Sequence, residues 1–418
     1  MLAPFIWVFF LCLFLYLFLF FYTFLYLSYA CFMLVLCLDY LCFDIQKGMN
    51  KMEIVKGAFS EAKIFTDQIE EYAKAQIQMI CDNPVSQDSK IRIMPDVHPG
   101  NVGTVGLTMT VKERMIPNLL GIDIGCGVSC VKVKGKKIEL QKLDTVIRER
   151  IPVGFQIREG LHTLAEAFRL DRLCCFRHIN EGKALLSLGT LGGGNHFIEA
   201  DRDEEGQIYL TVHSGSRHLG KEVTDFYIKE GAKRLKAQKK QVPYPLTWIE
   251  GDLMREYMAD VKVVQEFAAL NREIILAEIL KGMKWKEAEW ISSVHNYLES
   301  NGEESILRKG AISARQGEAV VIPVNMRDGI ILGVGKGNPD WNESAPHGSG
   351  RRMRRDEVKK HYTVSAFKKE MKGIYSSCIS ADTLEEAPFA YRSLEEIVGK
   401  LEETVEIKTV LKPVYNFK

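Results

Sequence analysis

Charge is missing from residues 1–38, which contain no Asp, Glu, Lys or Arg and are mostly Leu, Phe and Tyr. The first acid is Asp39 and the first base Lys47. Without a basic n-region, and with so long an apolar run, the segment makes a poor secretory signal peptide. It is long enough to span a bilayer, yet no cation precedes it to set an orientation. Translated T-rich DNA has the same composition, and Met49 and Met52 stand just before ordinary globular composition begins at Ile54. Residues 1–48 are therefore read as a hydrophobic extension from a misassigned start, with a membrane anchor as the alternative. Residues 49–418 are read as one folded domain.

Other absences narrow the function. The formal net charge of the 418 residues is only +1, so no chain-wide basic field marks a nucleic-acid binder. The ten cysteines show no disulfide spacing. Four precede residue 43, and Cys81, Cys126, Cys130, Cys174, Cys175 and Cys378 are thinly spread. That usage fits a reducing compartment, and a cytoplasmic protein is expected. The glycine-rich run Gly333-Val-Gly335-Lys336-Gly337 lacks the Gly-Lys-Ser/Thr ending of a phosphate-binding P-loop. The Lys-x-Asp/Asn-Gly signature of lysine-adenylylating ligases is also missing, as are internal repeats and low-complexity linkers after residue 50.

What is present is 46% hydrophobic and 26% charged residues, the composition of a folded protein. Periodicity predicts helices over 61–80, 136–186, 252–281, 354–371 and 394–403. Strands are expected at 91–94, 105–111, 128–133, 209–213, 292–297, 319–324, 330–334 and 405–410, most of them ending at turn residues. The irregular alternation favours a single α+β domain, with mixed sheets and surrounding helices, over a doubly wound sheet. Candidate ligands fall at strand ends and loops, where functional groups are commonly placed.

Five of the nine histidines stand in tight, mostly glycine-rich settings. The stretches are Pro-Asp96-Val-His98-Pro-Gly, Gly-Gly-Gly194-Asn195-His196, Val-His213-Ser-Gly-Ser-Arg217, Val-His295-Asn and Pro-His347-Gly348-Ser349-Gly350-Arg351. A sixth, Gly-Ile-Asp123-Ile-Gly-Cys126-Gly, adds a carboxylate and a thiol three residues apart. Carboxylate, thiolate and imidazole together suit Mn, Fe, Co or Zn better than Mg. Taken alone, His295 reads as a structural histidine at a strand end, and His218 as a bystander. Arg217 offers a fork-shaped cation suited to phosphate. His347 differs from the rest, because arginines at 351, 352, 354 and 355 follow it and imidazole can attack phosphorus. The second basic run, Lys233 to Lys240, reads as a solvated surface.

With Arg308-Lys-Gly-Ala311 and the extension of the glycine run through His196-Phe-Ile-Glu199, these motifs resemble, in order, the RtcB family of RNA-splicing ligases. The resemblance runs from about Met94 to Lys418, and Gly-Asn338-Pro-Asp340-Trp341 matches its shorter bacterial members. It implies two Mn(II) ions bridged by Cys126 and surrounded by Asp123, His196, His213 and His295. It implies that GTP guanylylates His347. Asn195, Glu199, Gly348, Ser349, Gly350, Arg351 and Lys418 then match nucleotide-binding positions, and Arg217, Arg351 and Arg355 phosphate-binding ones. The substrates implied are RNA ends, one a 3′-phosphate or 2′,3′-cyclic phosphate and the other a 5′-hydroxyl, with an activating protein partner possible in principle and no membrane. This chain departs from the family at Ser349, where Ala is usual, and at Met353-Arg354-Arg355, where Met-Ser-Arg is usual. It also departs at Val324-Asn325-Met326-Arg327, which makes guanine selectivity less firmly implied than the metal site.

Two other functions use some of the same residues. A metal-dependent phosphohydrolase needs the ions and arginines but no covalent nucleotide. A non-catalytic, membrane-tethered RNA-binding protein needs the apolar extension to be a true anchor.

Overall fold

A computed structural model describes residues 52–300 and 304–418, and Met33 alone before them. The reading of residues 1–48 as an extension falls, Met33 apart, outside the described residues. Among the described residues no helix is long and apolar enough to cross a membrane.

The fold is α+β, as expected, and rests on two sheets. The first runs, neighbour to neighbour, Glu53–Lys56, Glu61–Ile64, Ile91–His98, Val105–Val111, Ser305–Lys309 and Asn296–Ser300. The second runs Glu287–Val294, Gly127–Val133, Ile208–Ser214, Phe197–Arg202, Val405–Phe417, Gly329–Gly335 and Ala319–Asn325. His295 is the single residue between Glu287–Val294 of the second sheet and Asn296–Ser300 of the first, so the chain passes between sheets at a candidate ligand.

The helix Gly251–Met283, 33 residues and so about 50 Å long, serves two apolar clusters. Its Tyr257, Val261, Val264 and Phe267 join the core beneath the first sheet. Its Ile275, Leu276 and Ile279 join Ile198, Leu210 and Val212 of the second. Asn271 and Arg272 lie between these apolar runs and are fully buried. A buried amide and guanidinium must find partners, and theirs are in the loops of the site.

Several expectations need correction. The helix expected over 61–80 is a strand, Glu61–Ile64, followed by the helix Glu71–Cys81. Glu-Ala-Lys-Ile alternates outward charge with the fully buried Ala62 and Ile64, and backbone pairing with 91–93 decides its state. The segment 136–186 is helical only at Leu140–Arg150 and Glu181–Leu186, with short 3₁₀ turns between. Pro152 and Gly154 end the helical pattern there. The helix expected over 354–371 is two, Arg355–His361 and Val364–Glu370, and Thr363 caps the second by accepting from Ala366 N. The helix Arg217–Ala237 and the strand Phe197–Arg202 were not foreseen, and the last strand continues to Phe417.

Candidate metal and nucleotide site

Asp123 and Cys126 occupy the turn between the short helix Pro117–Leu120 and the strand Gly127–Val133. Gly125 within it has φ 75°, and a Cβ there would lie 2.8 Å from the Ala268 Cβ, so only glycine lets the turn rest against the long helix. His196 ends the glycine loop before strand Phe197–Arg202, and His213 stands opposite Phe197 in the neighbouring strand. His295 closes the set, its backbone N–H donating to Cys126 O at 2.9 Å.

The donor atoms converge. Cys126 Sγ lies 3.5 Å from His196 Nε2 and 3.2 Å from His213 Nε2. His196 Nε2 lies 3.0 Å from Asp123 Oδ2, and His213 Nε2 is 3.3 Å from His295 Nε2. These atoms form two triads, Asp123/Cys126/His196 and Cys126/His213/His295, each within a 4.8 Å span and with Cys126 common to both. All five residues named for a metal from sequence thus meet at one place.

The set fits cations. His196 Nδ1 donates to Leu191 O at 2.8 Å and His213 Nδ1 to Asn195 O at 3.1 Å, leaving the Nε2 lone pairs facing inward. Burial drives the pKa values of His213 and His295 well below the ordinary range, so both are neutral donors. Burial pushes the Cys126 thiol well up, with the Asp123 charge adding to it, so a cation is what would hold it as thiolate. Burial alone would raise Asp123, but the His196 bond and nearby cations outweigh it and bring it to about 2. The buried His295 Nδ1 has no hydrogen-bond partner.

Asn271 and Arg272 hold this centre together. Arg272 donates to Gly125 O at 2.8 Å, Ser214 O at 2.9 Å and Ser129 Oγ at 3.0 Å, joining the Asp123 turn to the end of the His213 strand. Asn271 accepts from Gly189 N and Thr190 N and donates to Ser214 Oγ and Gly215 O, which fixes the loop leading to His196. Sequence reasoning missed both. Their signal was a polar pair between apolar runs of one helix.

A cleft opens on one side of the triads, lined by His213, His295, His347, Asn195, Glu199 and Lys418 among others. His347 follows strand Ser344–Pro346, and its ring centroid is 4.9 Å from that of His295. Its Nδ1 lies 2.7 Å from Asp96 Oδ2, an ion-pair distance without hydrogen-bond alignment, and its backbone N–H donates to the same oxygen at 3.1 Å. Asp96 belongs to the Pro-Asp96-Val-His98 motif, whose spacing alone assigns it no role. Gly348, Ser349 and Gly350 line the cleft, and Ser349 Oγ donates to Val324 O at 2.7 Å. Gly350 has φ 76°, and a Cβ there would lie 2.5 Å from Asp96 O.

Arginines and Lys418 gather on one acid. Glu386 Oε1 accepts from Arg351 at 3.2 Å and lies 3.4 Å from Arg355 Nε, while Lys418 Nζ donates to Oε2 at 3.2 Å. Burial works to raise Glu386, yet Lys418, Arg351 and the Tyr391 hydroxyl bond hold it near 2. Arg351 also donates to Glu385 O and Tyr391 Oη, so its guanidinium is largely committed to protein groups. Arg217 lies outside the cleft, on the Asp123 side, donating to Thr190 Oγ1 and Gly154 O, both at 3.2 Å. A Cβ at Gly192 would overlap that guanidinium. His98, also in the cleft wall, is pushed down to about 4 by burial. Arg308 is structural, buried against Ser344, Tyr297 and Glu299.

Glu199 accepts from Asn416 Nδ2 at 2.5 Å on the cleft wall, and burial pushes it up to about 7. Behind it on the same strand face, Asp201 is buried with neither carboxyl oxygen hydrogen-bonded.

The family model described as tRNA-splicing ligase RtcB matches residues 76–176 and 175–418. The RNA-splicing ligase RtcB of Escherichia coli K12 is 28% identical over 366 residues, covering 78% of this chain and 88% of that protein. The tRNA-splicing ligase RtcB of Nanoarchaeum equitans is 26% identical over 451 residues, covering 86% of this chain and 94% of that protein. With the family model matching from residue 76 to the last residue, the chain belongs to the RtcB family of ligases.

Proposed function

We propose that the protein is a GTP- and Mn(II)-dependent RNA ligase that joins a 3′-phosphate end to a 5′-hydroxyl end. The observation that carries this reading is the placement of His347, which lines the cleft beside His295 of one triad with Asp96 Oδ2 2.7 Å from its Nδ1. Asp96 holding Nδ1 leaves Nε2 as the attacking atom, in the manner of a carboxylate orienting an imidazole.

In this reading the Nε2 lone pair forms a bond to the α-phosphorus of GTP, the bond to the bridging oxygen breaks, and pyrophosphate leaves. A terminal oxygen of the RNA 3′-phosphate then attacks the same phosphorus. The P–N bond breaks, the imidazole is regenerated, and GMP is carried on the RNA end. The 5′-hydroxyl oxygen attacks the RNA phosphorus, its proton is lost, and GMP departs. A 2′,3′-cyclic phosphate must first take up water and open to the 3′-phosphate. Asp123, His196 and Cys126 would hold one cation and Cys126, His213 and His295 a second, and such ions neutralise phosphate charge and lower a nucleophile's pKa. Glu199, Asn195, Lys418, Arg351 and Arg355 all line this cleft and would contact the nucleotide.

The test is incubation with Mn(II) and each labelled nucleoside triphosphate in turn. GTP should leave label on denatured protein, acid-labile and alkali-stable, as a phosphoramidate is. His347→Ala should abolish labelling while metal content stays nearly unchanged. Labelling of that variant, or end joining by it, would overturn the mechanism. Phosphate release from RNA ends without any covalent nucleotide would make the protein a phosphohydrolase instead.

A further inference from the structure

Strand Phe197–Arg202 carries two acids on one face, Glu199 on the cleft wall and Asp201 two residues further in. Thr211 stands opposite Glu199 and Tyr209 opposite Asp201 in the neighbouring strand. Cys130 stands opposite Thr211 one strand further on, and Asn416 opposite Glu199 on the other side. This face is shut in, because the end strands of the second sheet meet: Val321 N donates to Ser293 Oγ at 2.9 Å. Val321, Ile330 and Leu411 pack with Cys130 and Tyr209 there.

Asp201 is fully buried in this apolar setting, and neither of its oxygens has a hydrogen-bond partner. Thr211 Oγ1 and Asn416 Oδ1 are buried and unpaired as well. The two acids differ in their support. Glu199 accepts from Asn416 Nδ2 at 2.5 Å and feels the Lys418 cation, whereas among the described residues no cation acts on Asp201. After burial, each acid is the strongest influence on the other's protonation. Two buried carboxyls so coupled cannot both ionise, and the one without a cation keeps the proton. The other titratable or charged groups about the pair are Cys130, Tyr209 and, beyond them, Glu289. Burial pushes Cys130 and Tyr209 up, away from neutrality.

We propose that Asp201 is a positioning residue for Glu199: it keeps the pair's proton and donates it to Glu199, so that Glu199 meets the nucleotide as an ionised acceptor. The inference rests on the nucleotide reading above. An ionised carboxylate only accepts, so it favours a base edge made of N–H groups over one with an acceptor in the same place. A second proton, taken up by Glu199, ends that preference, and nucleotide binding weakens as pH falls.

The experiment follows GMP labelling against pH in Mn(II)-loaded wild type, Asp201→Asn and Asp201→Leu. The wild-type GTP KM should rise about tenfold from pH 8 to pH 6. Asp201→Leu leaves Glu199 without its donor, so the rise should move about one unit to higher pH, and KM at pH 7 should increase about fivefold with kcat little changed. Asp201→Asn, whose amide still donates, should keep the wild-type KM at pH 7. A merely structural role would not move the pH at which KM rises. Nucleotide-free protein gives a second reading. At pH 8 the infrared carbonyl band of a buried, protonated carboxyl should be present in wild type and lost in both variants. Absence of that band, or coincident KM profiles for wild type and Asp201→Leu, overturns the proposal. So does a KM that follows sodium or potassium concentration, which would give the unpaired oxygens to a cation. If Asp201→Leu does not fold, Asp201→Asn carries the test, and a raised KM in it at pH 7 counts against the proposal. If the band is present but no nucleoside triphosphate labels the protein, the proton on Asp201 is upheld and the ligase reading falls.

Discussion

Asp96 Oδ2 stands 2.7 Å from His347 Nδ1 and accepts from the His347 backbone N–H, so one carboxylate faces the ring and anchors the turn that carries it. Asp96 is fully buried, and its place near the end of strand Ile91–His98 is kept by Gly106 and Gly350, both of which press against it. Removing the charge should therefore spoil ring orientation without disturbing the metal ligands. Asp96→Asn is expected to slow GMP labelling by about 10²- to 10⁴-fold, the range seen when a carboxylate that orients a catalytic imidazole is neutralised. Rapid-quench labelling with metal content measured in parallel checks it. Loss of metal along with labelling would mean that Asp96 acts on the triads instead.

Cys126 is the only donor common to both triads. Cys126→Ala should lose bound metal and all ligation, while its far-ultraviolet circular dichroism stays that of wild type. The donor set also predicts poor support by Mg alone, since thiolate and imidazole favour softer ions. Full activity in Mg after exhaustive removal of Mn would contradict both statements.

Arg272 donates to the Gly125 and Ser214 carbonyls and to Ser129 Oγ in the buried core. Burial lowers its pKa only to about 10, so it stays charged. Arg272→Met should cost about 3–5 kcal/mol in denaturant unfolding, because buried acceptors are left without donors. It should also weaken metal binding, although Arg272 touches no ion. Arg272→Lys should recover little, since an ammonium lacks the planar fork that reaches the Gly125 and Ser214 carbonyls together.

Much of this centre was legible in the sequence. Asp123, Cys126, His196 and His213, which converge in the fold, stood out because each sits in a short glycine-rich or strand-end motif whose chemistry is local, and His295 joined them only through the resemblance. The clamp did not stand out, because Asn271 and Arg272 act through contacts on distant loops and look like any polar pair on a helix. The strand Glu61–Ile64 was misread for a similar reason: four residues carry no decisive period, and pairing with Ile91–Ile93 settles their state. The place of Glu386, which gathers Arg351, Arg355 and Lys418, was equally invisible from spacing.

The buried pair Glu199 and Asp201 predicts a pH dependence. Burial raises Glu199 from the usual carboxyl range to about 7 and Asp201 well above its own, the latter also through the Glu199 charge. Cys130 and Thr211 face the pair from neighbouring strands, and Lys418 is the cation that opposes the Glu199 shift. The folded chain then binds more protons than the unfolded one between about pH 4.5 and 7, so stability falls as pH rises through that window. Asp201→Asn removes one acid and should flatten the fall, leaving the variant more stable than wild type at pH 8 by of order 1–3 kcal/mol. Unfolding midpoints at pH 5 and pH 8 decide the matter. Equal slopes for the two proteins would show that the pair does not share its proton in this way.

The long helix Gly251–Met283 supplies no donor to any ion, yet two consecutive residues on it set where the donors stand. Tolerance to change at this centre is thus a cliff and not a slope. Exposed positions on the same helix, such as Glu256 and Lys262, are free to vary, while a change at 271 or 272 displaces the Asp123 turn, the His196 loop and the end of the His213 strand in one step. Directed variation of the metal centre would do best to begin from the ligands themselves and to leave that single helical turn untouched.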